Sequence, residues 1–208
     1  MYSVCPMNGL GLSFEGKVLI GGKKITSAKT LKEYEEVLLA ADRNRRAAKP
    51  DARPYALVYL LLSTGIKKSE TLGIKLEHLE LDAPDGPQVF IKYATPANRY
   101  KERKLTLPED WLPAFEEYRA QYQRSSPGDN PEEKLFPWSQ RRLEYLLEDV
   151  SNEAGLTKHL SFDMCRWTCA LNDFRAGVEP DLIRQKLGVS KIQWRELFIK
   201  LKKLDTGL

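Results

Sequence analysis

The sequence predicts a mainly helical α+β domain, in which a helical body carries a small antiparallel β-hairpin sheet on one edge. Three observations predict it. Apolar residues recur at helical spacing from Leu31 to Ala41, from Trp111 to Tyr118, and through most of the chain beyond Ser139. The run Tyr55 to Leu62 is apolar on every side, as a buried central helix is. Residues 88–107, by contrast, contain two short alternating stretches separated by a polar segment, the pattern of a strand and its return.

In chain order, residues 1–29 form an N-terminal extension. There Lys17-Val-Leu-Ile20, Gly21-Gly22 and Lys23-Lys24-Ile25 predict a short hairpin with a glycine turn. Residues 30–208 form one domain. Thr26-Ser27 predicts the N-cap of a helix through Leu31, Tyr34, Val37, Leu38 and Ala41 that ends near Arg43 to Arg46. A linker with Pro50 and Pro54 leads to the central helix, stopped by Ser63-Thr64-Gly65, and a short helical turn follows around Ser69 to Leu72. Strands are expected at Gln88–Tyr93 and Lys104–Leu107, with Pro96 and Asn98 between them. Pro108-Glu-Asp110 opens a helix with Trp111, Leu112, Phe115 and Tyr118, and 125–133 is a polar loop. Helices at about 139–154, 162–176, 179–187 and 190–203 are punctuated by Gly155, Gly177 and Gly188.

The bulk numbers narrow the function classes. With 33 Lys and Arg against 29 Asp and Glu, the formal charge of +4 suits a polyanion without proving one, so its distribution must decide. Three cysteines, Cys5, Cys165 and Cys169, make no disulfide framework, which points to a reducing compartment, the cytoplasm. The longest apolar stretch, Tyr55 to Leu62, falls far short of the roughly 20 residues a spanning helix needs, and the N-terminus lacks the pattern of a signal peptide; no membrane is expected. No cofactor is called for.

Five pieces of sequence stand in a telling order. They are Thr64-Gly65-Ile66-Lys67-Lys68-Ser69-Glu70; the basic hairpin ending Tyr100-Lys101-Glu102-Arg103; Leu135-Phe136-Pro137; Asp163-Met-Cys-Arg166-Trp-Thr-Cys-Ala170; and Leu187-Gly188-Val189-Ser190, with Phe198 ten residues beyond that glycine. Over residues 30–203 this resembles the catalytic domain of the tyrosine recombinase (phage integrase) family. Its pattern runs Thr-Gly-Leu-Arg-Ile-Ser-Glu-Leu, a hairpin lysine, His-x-x-Arg-His-Thr, Leu-Gly-His, and a tyrosine about ten residues after that glycine.

The resemblance implies a chemistry in which the tyrosine attacks a DNA phosphodiester while two arginines and a histidine hold the charged transition state. Rigid, positive donors suit that task. At the matching positions this chain has Lys67 for the first arginine, a point charge without a bidentate fork. It has Asp163 for the first histidine, which repels phosphate when ionised, and Val189 for the later histidine, which has no donor. Arg166 is retained. Phe198 stands at the nucleophile position without an oxygen, and the last tyrosine of the chain, Tyr145, precedes Arg166. Lys92 before the hairpin turn and Lys101 after it both compete for the hairpin-lysine position.

The function expected is therefore that of a double-stranded-DNA-binding relative of integrases that has lost strand cleavage, nucleoid-associated when bound. Lys67, Lys68, Lys92, Arg99, Lys101, Arg103, Arg166, Lys191 and Arg195 are expected on or near the face that such proteins turn to the duplex, neutralising phosphates. A solvated basic surface is the plain alternative. The first 30 residues are too few for the upstream helical domain the family usually carries, so the grip is expected from one side. The C-terminal helix, with Leu197, Phe198, Leu201 and Leu204, is expected to offer an apolar face to a second copy.

Other readings stay open. One is a recombinase whose nucleophile comes from another chain or residue type. Another is a transcriptional regulator, because Leu182 to Trp194 has the helix, glycine turn and helix of a helix-turn-helix. A third is a scaffold without DNA affinity. Cys165 and Cys169, four apart, read as buried thiols more readily than as metal ligands, and the four tryptophans as core residues more readily than as base-stacking ones. Glu70 and Asp163 as an acid/base pair have little support, since the resemblance implies that Glu70 orients a neighbouring basic side chain.

Overall fold

The structure, a computed structural model, describes residues 18–20, 23–25, 31–122, 130, 132–156 and 158–206. Strands β1 (Val18–Ile20) and β2 (Lys23–Ile25) pair antiparallel with Val18 opposite Ile25 and Ile20 opposite Lys23, the register of the expected hairpin. Helix α1 (Leu31–Arg45) follows; its expected cap at Thr26-Ser27 lies outside the described residues, as does most of the polar loop at 125–133. Helix α2 (Arg53–Thr64) is the central one. Pro54 in its first turn needs no hydrogen-bond donor there, and Ala56, Leu57, Val58, Leu60, Leu61 and Leu62 are all buried. It packs against α1 and against α4 (Trp111–Tyr122), α5 (Gln140–Glu153) and α6 (Phe162–Arg175).

After α2 comes the single helical turn α3 (Lys68–Thr71), then a 3-10 turn at Leu76–His78 that runs into β3 (Leu79–Glu80). Strand β3 pairs antiparallel with β4 (Gln88–Ile91), and β4 with β5 (Arg103–Thr106), so the edge sheet has three strands rather than two. The third strand escapes sequence reading because two residues are too few to display an alternation. Val89, Ile91 and Leu105 face the core, while Phe90, Lys92 and Lys104 lie on the outer side.

Trp111 opens α4 as expected; its indole N–H donates to the Ala56 carbonyl at 3.0 Å and its ring stacks on Phe115 at 4.6 Å. Helices α5 and α6 are capped by serines, with Ser139 Oγ accepting from the Arg142 N–H and Ser161 Oγ from that of Met164 at 3.1 Å. Two short apolar clusters result. The larger surrounds α2. The smaller joins α6 to α7 (Pro180–Lys186) and α8 (Lys191–Thr206) through Ala170, Leu171, Ile183, Leu187, Trp194, Leu201 and Leu204.

That second cluster takes in the residues named for the apolar face of the last helix. Leu201 is fully buried and Leu204 nearly so, and Leu197 and Phe198 pack against the same residues, so the apolar face of α8 is filled from within the chain. The helix folds back on α6 and α7, while Ile192 and Ile199 of the same helix stay exposed. No described helix is long and apolar enough to cross a membrane.

Candidate nucleic-acid interface

Two tight turns build the site. The first is at Gly65, which ends α2 at φ +62° with its N–H on the Leu61 carbonyl at 2.9 Å. A Cβ here would stand 2.9 Å from Leu187 Cδ2 and 3.3 Å from Cys169 Sγ, so the turn needs glycine both for its left-handed backbone and for the close approach of α6 and α7. The second is at Gly188, φ +58°, between α7 and α8.

Arg166 lies between these turns. One Nη donates to the Gly65 carbonyl at 2.5 Å and the other to the Leu187 carbonyl at 2.6 Å, which leaves the side chain buried. Burial, opposed by the charge of Glu70 and assisted by that of Arg103, brings its pKa down to about 10, so it stays charged at neutral pH. The surviving arginine of the motif is thus a tie between two turns as well as a positive charge beneath the surface.

Arg103, expected on or near the DNA-facing side, turns inward. Its side chain is only 9% accessible, and its guanidinium forks onto Glu70, with Nη1 to Oε1 and Nη2 to Oε2 both at 3.0 Å. Its Nε donates to the Lys186 carbonyl at 2.6 Å, and Nη1 also to that of Lys101. The strand period explains the inward direction: Arg103 lies on the same side of β5 as buried Leu105. Glu70 does orient a basic side chain, as expected, but one 33 positions away in sequence. It further accepts the Lys67 N–H at 2.7 Å and the Tyr93 hydroxyl. Burial alone would raise the Glu70 pKa; the bonds and charge of Arg103, with those two donors, hold it below the usual carboxylate value.

Lys67 is half-buried beside this pair. Its pKa is lowered first by burial and then by Arg166, with Arg103 and Lys101 adding to the effect and Glu70 opposing it. Lys67, Lys101, Arg103 and Arg166 therefore share one neighbourhood with the buried carboxylate of Glu70, a locally cationic site that Asp163 also reaches through Arg166. The two hairpin lysines lie in different surroundings. Lys101, whose Nζ also donates to Asn98 at 2.9 Å, lies toward the pocket, whereas Lys92 sits over the outer Phe90 ring at 5.8 Å and near His78.

Most of the remaining expected residues lie apart from that cluster, although the charge of Asp163 acts on Arg166. Lys68 pairs with Glu144 of α5 at 3.1 Å on the surface, and Arg99, Lys191 and Arg195 are exposed. Asp163 is exposed in the first turn of α6, where a carboxylate complements the helix dipole, and Val189 is buried in the second cluster. Phe198 stacks on Trp194 at 5.5 Å and meets Phe174 edge-on at 5.8 Å. Phe174 lies eight residues beyond Arg166 in α6, about 12 Å along the helix. The Phe198 ring thus forms part of an aromatic cluster with Trp194 and Phe174.

Sequence reading missed Tyr93 and the Glu70–Arg103 pair. Only the parity of β5 carries a signal for the latter. The two cysteines behave as expected: both thiols are buried, and burial pushes that of Cys169 up to about 11.

Gly188 depends on Arg103. An added Cβ would stand 2.6 Å from Arg103 Nη1, which Glu70 holds in place. Gly188→Ala is expected to lower stability by at least the roughly 1–2 kcal/mol of a left-handed non-glycine residue, seen as a reduced urea midpoint.

A helical body with a three-stranded edge sheet, and a buried arginine tying the end of the central helix to the turn before the last helix, defines the catalytic-domain fold of a tyrosine recombinase. The phage integrase family model matches residues 29–202, and the chain belongs to that family. Among solved structures it is similar to XerA recombinase, with 20% identity and a TM-score of 0.63 over 85% of this chain and 63% of that one. It is also similar to XerH site-specific recombinase in a post-cleavage complex with a palindromic difH substrate, with 20% identity and a TM-score of 0.67 over 90% and 54%. A third is the Tn1549 transposon integrase in complex with transposon right end DNA, with 18% identity and a TM-score of 0.60 over 83% and 59%. The chain thus spans between about half and two thirds of the length of these proteins. No curated protein matches it by sequence.

Proposed function

We propose that this chain grips double-stranded DNA through the cationic pocket and does not cut it. The observation that carries the reading is the gathering of Lys67, Lys101, Arg103 and Arg166 about Glu70 and the Gly65 turn, in a chain whose residue 198 is a phenylalanine. Such a pocket attracts a phosphate, while a phenyl ring forms no ester with it. The DNA complexes formed by XerH and the Tn1549 integrase support the choice of ligand.

Another hydroxyl does stand beside the pocket, that of Tyr93. Burial first, and then its bond to Glu70, push its pKa up to about 12, so it remains a phenol and a poor nucleophile. The helix-turn-helix reading adds nothing separate, because α7, the Gly188 turn and α8 belong to the recombinase fold itself.

Two measurements test the proposal. Duplex affinity is expected to fall by orders of magnitude between about 50 mM and 200 mM salt, as counterion release requires; binding that ignores salt, or none, would sink it. Incubation with a nicked, labelled duplex is expected to give no covalent adduct on a denaturing gel. Phe198→Tyr is expected to leave the adduct absent, because Asp163 and Val189 still stand where phosphate donors are needed. An adduct with the unaltered chain, abolished by Tyr93→Phe, would overturn the non-cleaving reading.

A further inference from the structure

The connection between β4 and β5 is shaped by its own hydrogen bonds. A 3-10 turn at Pro96–Lys101 is closed by the Asn98 N–H on the Thr95 carbonyl and the Glu102 N–H on that of Arg99, both at 2.9 Å. Glu102 Oε1 accepts the Tyr93 N–H at 3.0 Å, which ties the two ends of the connection together. From this held turn Tyr100 projects with 70% of its surface accessible, while Tyr145, the other tyrosine among the exposed large hydrophobic residues, shows 41%. Lys101 Nζ stands 5.1 Å from the centre of the Tyr100 ring, and Arg99 is exposed beside it.

A tyrosine ring presented on a held turn, with a cation beside it, offers a π-face suited to stacking on a flat partner. The surroundings say which. The Lys101 carbonyl accepts Arg103 Nη1 at 3.0 Å, which sets the turn beside the cationic site, and exposed Arg99 adds a positive charge, so the occupant is anionic as well as flat. A nucleobase on a phosphate backbone meets both demands. Bases within an intact duplex are already stacked on their neighbours, and a side chain reaches a π-face only where one is unpaired.

Resting on the DNA-binding reading, we propose that Tyr100 stacks on an unpaired nucleobase adjoining the phosphate held in the pocket, so that the protein prefers duplex DNA interrupted by an unpaired base. The ordered turn holds the backbone that carries the ring, which reduces the entropy lost on binding.

The test compares a labelled duplex with the same duplex carrying one bulged 2-aminopurine, by anisotropy titration at one salt concentration, with the fluorescence of the bulged base as a second readout. The wild-type chain is expected to bind the bulged duplex about tenfold more tightly and to quench the base, a ratio in the range of single base–aromatic stacks. Tyr100→Phe is expected to keep both effects. Tyr100→Leu, a change on an exposed turn, is expected to abolish both while leaving the affinity for intact duplex and its salt dependence unchanged. Equal affinity of the wild-type chain for the two duplexes, or a preference that survives Tyr100→Leu, overturns the stacking role while the DNA reading stands. Failure to bind either duplex overturns both.

Discussion

Glu70→Ala is expected to cost the fold about 3–5 kcal/mol, the usual result of removing one partner from a buried ion pair. The carboxylate side chain is 1% accessible and receives both arms of Arg103, the Lys67 N–H and the Tyr93 hydroxyl. Without it a guanidinium remains buried among the positive charges of Lys67 and Arg166, and β5, α3 and the end of α7 lose their common fastening. Urea titration of the two chains measures the loss. Glu70→Gln keeps the volume but not the charge, and allows the pH dependence to be read. The Glu70 pKa is depressed in the folded chain, so the unfolded chain takes up the proton first as the pH falls. The advantage of wild type over Glu70→Gln should therefore be constant above the ordinary carboxylate value of about 4.3 and shrink as the pH drops below it. An advantage that does not change between neutral and strongly acid solution would contradict the pairing.

Arg166→Ala is expected to be of similar size, about 3 kcal/mol or more, for a different reason: two buried carbonyls lose a shared donor, at about 1–3 kcal/mol each. Those carbonyls belong to Gly65 and Leu187, so the loss falls on the junction between the central helix and the α7–α8 turn. Arg166→Lys should recover only part of it, because a single ammonium lacks the fork that spans both oxygens. Equilibrium unfolding orders the three chains. If Arg166→Ala proves as stable as wild type, the guanidinium is not the tie described. Loss of DNA affinity in Arg166→Lys beyond its loss of stability would assign the same side chain a second role at the phosphate.

Much of the molecule was legible because its signals are local. The apolar run from Tyr55 to Leu62, the serines ahead of α5 and α6, and the glycines at 65 and 188 each act through neighbours within a turn, so helix positions could be read residue by residue. The ordered motif from Thr64 to Phe198 likewise carried the family. The two-residue strand β3 was not legible, since pairing with β4 rather than any preference of Leu79-Glu80 makes it a strand.

The sequence by itself determined the class of fold, the family, and the absence of a hydroxyl at residue 198, because these depend on residue identity and on spacing along the chain. Tertiary structure alone decided which charges meet: that Arg103 is taken by Glu70, that Lys101 rather than Lys92 lies toward Lys67, that Phe198 joins Phe174 and Trp194, and that the apolar side of α8 closes on its own chain. The physical reason is range. Helix periodicity and turn chemistry act over a few residues, whereas an ion pair or an aromatic contact depends on distance in space, which the packing of α6, α7 and β5 around the two glycine turns sets.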